Sequence, residues 1–271
     1  IAIGSRAGYI HQNTGAIAVG SDAGANVQGV GCVAMGYEAG SNTQYDGSVA
    51  IGPWSGSFFQ NTNSVALGSN SGQYTQNVNS IAVGFEAGMQ NLVSNAITIG
   101  YQAGKWSKLF TSNGFISIGS RAGFANLGTN SISIGTDCAS IGVIDRDPNN
   151  LGENLIITHD ALSIGTMAGY QEQMNCAIAI GAFGGWGNQS ENAVSVGHSS
   201  GYSNQGSFSV AIGANAGQWD QGDESVCIGR EAGNCEQNFR CVSIGTSAGK
   251  TSQKSHAVAI GYRAGQSNQG T

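Results

Sequence analysis

A glycine returns every 16 residues along most of this chain, and any fold it adopts has to close on itself with that period. These anchors are Gly4, Gly20, Gly36, Gly52, Gly68, Gly84 and Gly100, then Gly119 and Gly135, then Gly165, Gly181, Gly197, Gly213, Gly229, Gly245 and Gly261. The spacing is 16 within each group, 19 between Gly100 and Gly119, and 30 between Gly135 and Gly165. A fixed period of this kind marks a stack of equivalent coils, each of which buries its apolar side only against its neighbours. The sixteen anchors predict an all-β chain, a parallel β-solenoid (β-roll) of about sixteen 16-residue coils stacked about 4.8 Å apart.

Before each anchor stands a large, small, large triplet, as in Ile17-Ala18-Val19, Val65-Ala66-Leu67, Ile81-Ala82-Val83 and Val194-Ser195-Val196. Alternation with period two and β-branched side chains read as one strand per coil, with the branched residues on one face and Ala or Ser on the other. Two aliphatic columns, with Ile81 and Val83 among them, are expected to form the core. At roughly 1.5 to 3 kcal/mol for each buried side chain, they would offset the ordering cost of a glycine-rich chain. The small face (Ala18, Ala34, Ala50, Ala66, Ala82, Ser195, Ala211, Ala259) carries no charge, and it is expected to meet another copy of the chain. The reverse arrangement, with Ile and Val between copies and Ala inside, is the alternative.

After each anchor come two variable residues, a small residue and a second glycine, as in Gly84-Phe85-Glu86-Ala87-Gly88. Gly84 and Gly88 would supply the backbone freedom of a tight corner, with charge at the second variable position facing water. Four residues further on, twelve coils carry Gln: Gln12, Gln28, Gln44, Gln60, Gln76, Gln173, Gln189, Gln205, Gln221, Gln237, Gln253 and Gln269. Stacking aligns them, so an amide-to-amide ladder is expected. It lapses at Leu92, Lys108 and Leu127.

The chain reads as a single solenoid segment over 1–271, with regular coils over 1–112, an irregular middle over 113–160 and regular coils over 161–271. Insertions over 105–111 and 143–160 are where partner specificity is expected, because insertions in repeat proteins map to one face and often bind. Trp106, Phe110, Arg146 and His159 are the candidate binding side chains. Asp145, Asp147 and Asn149 resemble the first half of a calcium loop. Its sixth position is Asn150 and its twelfth Ile156, which favours a solvated loop and no metal.

Charged residues are only 10% of the chain, the net charge is −6, and the ten Lys and Arg form no stripe, so nucleic acid is not an expected partner. No apolar run is long enough to insert in a membrane. The six cysteines lack metal-ligand or disulfide spacing and read as free, half-buried thiols. The four histidines are scattered, and His159-Asp160 has no nucleophile converging on it, so neither catalysis nor a cofactor is expected. Asn188-Gln189-Ser190 reads as repeat texture. Both ends fall inside a repeat, which predicts a piece of a longer fibre.

Asn63-Ser64-Val65-Ala66-Leu67-Gly68, Asn79-Ser80-Ile81-Ala82-Val83-Gly84 and Asn130-Ser131-Ile132-Ser133-Ile134-Gly135 resemble the head repeats of trimeric autotransporter adhesins of the YadA type, a left-handed parallel β-roll. The resemblance covers nearly the whole chain through a short motif. The coil here is longer than that family's, and it adds the Ala-Gly corner and the Gln column. Similar arrays occur in fibre proteins of large viruses and phages. What the resemblance implies is a homotrimeric fibre or adhesin displayed on a virion or cell surface, whose partners are itself and a surface receptor or glycan. An ice-binding solenoid and a tail-spike glycan depolymerase using Asp145, Asp147, Glu153 or Asp160 are the rivals.

Overall fold

A computed structural model of the chain describes residues 1–106, 114–125, 127–139 and 159–270. Among the described residues there are strands and turns and no helix. Two compact units divide the chain, Ile1–Asn130 and Ser131–Thr271. Together they hold about 14 turns of parallel β-solenoid.

A short strand precedes each of the sixteen anchors, from Ala2–Ile3 to Val258–Ile260. In the first unit Ile81–Val83 pairs in parallel with both neighbours, with Ile81 level with Val65 below and Ile97 above. Extra residues do not shift this register. Ile97 pairs with Ile116 across the 19-residue interval, and in the second unit Ile132 pairs with Leu162 across the 30-residue one.

Each coil carries more pairing than the triplet alone announces. Around the Gln position the second unit has a further parallel ladder, Gln171–Gln173, Gly187–Gln189, Ser203–Gln205, Trp219–Gln221, Cys235–Gln237 and Thr251–Gln253. The first unit has its counterpart in His11–Gln12, Val27–Gln28 and Thr43–Gln44, continued by single bridges through Gln60 and Gln76 to Leu92. The expectation of one strand per coil is therefore corrected to two.

The side-chain assignment is also reversed. Ala18, Ala34, Ala50, Ala66, Ala82, Ser195 and Ala211 are fully buried inside the coil. The flanking aliphatics point outward: Ile81 and Val83 are half-buried, and Met35, Ile51 and Ile99 are about 40% exposed. The interior is narrow, because a 16-residue coil with two strands already encloses the corner Ala, the triplet's small residue, the small residue just before the triplet and the long Gln. Nothing the size of Ile fits there as well. Since successive strand residues face opposite ways, the large residues are forced out as a set.

Both structural glycines do what the corner requires. At Gly84 φ is 126°, and a Cβ would lie 2.5 Å from the carbonyl oxygen of Gly100 in the next coil. At Gly88 φ is 51°, with Leu92 Cδ2 2.8 Å from where a Cβ would stand. The charged residue between them is left-handed too: Asp22, Glu38 and Glu86 have φ of 57°, 52° and 54°. Asn63, Asn79 and Asn95 occupy a further left-handed position at φ 57°, 59° and 61°, which Asn tolerates better than most residues.

Candidate interaction surface

The Gln column is an amide ladder. Gln44 Nε2 donates to Gln60 Oε1 at 3.0 Å and also to the carbonyls of Val33 at 2.9 Å and Ser48 at 3.1 Å. Gln76, fully buried, accepts from Gln60 at 3.2 Å and donates to the carbonyls of Val65 and Ser80. A buried amide with every group paired holds the two strands of a coil together and couples one coil to the next.

Where Gln is missing, apolar groups take its place. Leu92 and Leu127 are buried at the Gln position. In the coil of Gly104, Phe115 Cε2 lies 3.3 Å from where a glycine Cβ would be, in the space a Gln amide fills elsewhere. Phe115 is fully buried although its equivalents are Ala, Ser or Cys. The sequence signal was available: a single large residue at an otherwise small position, one coil after a lapsed Gln.

Two surfaces remain. Outward from the triplet strand runs the aliphatic face, two columns of Ile, Val, Leu and Met without a charge in either unit. Outward from the second ladder the surface is polar, with Asn188 Nδ2 donating to Asn204 Oδ1 at 2.9 Å and Asn204 Nδ2 to Asp220 Oδ1 at 2.7 Å. The coil is thus two-sided in the way an amphipathic sheet is, with its apolar side facing out of the chain.

Of the candidate binding residues, Phe110 and Arg146 lie outside the described residues, as do Asp145, Asp147 and Asn149. Trp106 is not on an insertion. It bridges in parallel with Gln90 and Ala125, its amide donates to the Phe124 carbonyl at 3.0 Å, and Lys105 Nζ lies 5.1 Å from its ring centroid. Both residues belong to a regular coil, so the extra residues of that interval come after Trp106. His159 is exposed, with its amide donating to Asn175 Oδ1 at 2.9 Å and its carbonyl accepting from Cys176. The structure does not bring Trp106 and His159 together in one compact unit.

Ion pairs link neighbouring coils. Lys105 Nζ meets Glu86 Oε2 at 2.6 Å and Lys250 Nζ meets Glu231 Oε2 at 2.7 Å. Burial pushes the Glu86 carboxyl up, but hydrogen bonds from Lys105 and Gln102 outweigh it and hold the group below its usual range. The cysteines are free thiols, and Cys32, Cys138, Cys227 and Cys241 are buried. Burial raises Cys138 to about 11 and drives Cys227 higher still. Among the described residues no group of His, Cys, Asp and Glu is placed to hold a metal ion, and no helix is long and apolar enough to cross a membrane.

Comparison with family models, with curated proteins and with solved structures finds no match for this chain.

Proposed function

We propose that this chain is a structural and adhesive fibre segment, a left-handed β-roll that works as a homotrimer on a virion or cell surface and holds or forms a receptor- or glycan-binding region. The observation that carries the reading is the outward aliphatic face. It repeats at every coil and would be unfavourable in water over so many rungs. A partner that covers it must present apolar groups at the same inter-coil spacing, and a second copy of the same chain does so at every level. The contact between copies is therefore the Ile/Val face, not the small-residue face, which lies inside. On this reading the segment's role is mechanical, it binds no nucleic acid and no cofactor, and it catalyses nothing.

The ice-binding rival rested on a flat Ala/Ser surface, and those residues are interior. Of the carboxylates named for a depolymerase, only Asp160 is among the described residues.

Light scattering and sedimentation of the whole chain test the reading. A mass of three chains is expected. Ile81→Glu with Val83→Glu should release soluble, folded single chains with an unchanged far-UV spectrum, whereas Ala82→Glu should unfold the coil from within. A stable wild-type monomer would sink the proposal.

A further inference from the structure

Among the described residues, half of the eight ring pairs stack ring on ring between successive coils. Phe58 and Tyr74 are 9° from parallel, Phe85 and Tyr101 10°, and Trp186 and Tyr202 6°. Rings stacked in this way each cover one face of the other. Tyr37 and Trp54 belong to the other half, with Phe183–His198, Tyr202–Trp219 and Phe239–His256, and stand closest to a right angle. Their centroids are 5.2 Å apart, but their planes stand at 86°, forming two walls of a right-angled corner. Both rings are exposed, Tyr37 by 45% and Trp54 by 38%.

A carboxylate-bearing residue adjoins both rings along the chain and across the coils. Glu38 follows Tyr37 directly and occupies the same left-handed corner position as Trp54, one coil earlier. A hydrogen bond to Glu38 and its charge raise the Tyr37 pKa. The carboxylate one coil below, Asp22, is already neutralised by Arg6, with Nε to Oδ1 at 2.7 Å. No ion pair neutralises Glu38 in the same way among the described contacts. The column thus runs Arg6, Asp22, Glu38, Trp54: a closed pair, then a carboxylate, then an indole.

We infer that Tyr37, Trp54 and Glu38 form a binding corner for a quaternary ammonium group. Ring faces attract a cation through their quadrupole, two perpendicular faces contact its methyl groups at once, and the carboxylate supplies the matching charge without requiring a hydrogen-bond donor. An aliphatic group would gain nothing from Glu38. An anion would be repelled by it. The inference does not rest on the trimer or on the fibre role, because all three residues belong to adjacent coils of one chain.

Tetramethylammonium is the first probe, titrated against the intact assembled protein at constant ionic strength while Trp54 is followed by NMR of a sample with labelled indoles. Saturable shifts at Trp54 are expected with tetramethylammonium and absent with tert-butanol, its neutral analogue in shape. Glu38→Gln and Trp54→Leu should each weaken binding about two- to fivefold at this exposed site. Phe85→Leu, in an ordinary stacked pair, should leave it unchanged. Equal response to tert-butanol, retention of affinity in both corner variants, or no saturable shift because another copy covers the corner would each overturn the proposal. Phosphocholine and trimethyl-lysine, run as parallel arms, then distinguish a lipid- or glycan-borne headgroup from a methylated peptide: the tighter binder identifies the source, and failure of both alongside tetramethylammonium counts against the site.

Discussion

The two units use the same coil and fill it differently. Over the first five coils of the unit Ile1–Asn130 that hold a Gln, the triplet's central residue is Ala throughout, and the ladder runs unbroken from Gln12 through Gln28, Gln44 and Gln60 to Gln76. In Ser131–Thr271 the central residues run Ser133, Ser163, Ala179, Ser195, Ala211, Cys227, Ser243, Ala259. There the hydroxyls of Ser195 and Ser243 donate to the Gln of their own coil, at 2.5 Å and 2.6 Å, and Ser163 does the same to Gln173. The ladder is also broken: Gln189 Oε1 and Gln221 Oε1 are buried with no partner, and both stand in Ala coils that follow a Ser coil. The serine does not displace the ladder bond it shares: Gln205 Oε1 accepts from both Ser195 and Gln189, and Gln253 Oε1 from both Ser243 and Gln237, so the ladder fails only at the steps onto the Ala179, Ala211 and Cys227 coils. Ser117 in the first unit shows the converse. Its Oγ is buried without a partner, because Leu127 stands where a Gln would accept.

The comparison breaks most visibly under a change that turns a donor into an acceptor. Gln60→Glu places an acceptor against the Val49 and Ser64 carbonyls and Gln76 Oε1, all of which Gln60 now supplies. We expect a loss of about 3 kcal/mol or more by chemical denaturation. Burial would raise the folded pKa of the new carboxyl above its unfolded value, so the variant should be least damaged in acid and lose stability as pH rises past roughly 4.3. Gln221→Glu, in the broken ladder, should cost less. Equal costs would mean that the ladder does not couple the coils.

Alkaline pH should separate the units next. Cys138, Cys227, Cys235 and Cys241 in the second unit have raised pKa values through burial, against Cys32 in the first. A folded pKa above the unfolded one gives stability that is complete below the unfolded value and is lost as pH rises toward the folded value. For Cys138 that window opens near 9.0 and closes at about 11. Hydrogen exchange across it should show the second unit loosening first, with Cys138→Ala reducing the pH dependence by an amount on the order of 2 kcal/mol. Simultaneous loosening of both units would contradict this.

A smaller effect concerns the unpartnered acceptors. Ala179→Ser and Ala211→Ser should give Gln189 and Gln221 the donor that Ser195 gives Gln205, a gain of about 0.5 to 1 kcal/mol each. The same change at Ala50, where Gln60 Oε1 already accepts from Gln44, should be neutral or unfavourable. A thermal shift of the same size and sign at all three positions would refute this difference between the units. Smallest of all, Arg240→Ala removes an exposed pair with Glu224 at 3.1 Å, and the unfolding midpoint should not move measurably even in low salt.

The period, the strand before each anchor, the glycine corners and the Gln ladder were legible in the amino-acid sequence, because each follows from local chemistry repeated at one spacing. A glycine whose Cβ would strike the next coil, or a Gln repeated at one level, has the same meaning wherever it stands. Three things were decided only by the tertiary structure. An alternating triplet is symmetric between its faces, and only the width of the closed coil settles that Ala82 goes in and Ile81 and Val83 come out. Trp106 joins a regular ladder instead of an insertion because strand register, not residue count, fixes where extra residues leave the stack. The Tyr37–Trp54 corner depends on the angle between two rings from successive coils, and ring orientation is set by the packing around each side chain, which the order of residues along the chain does not specify.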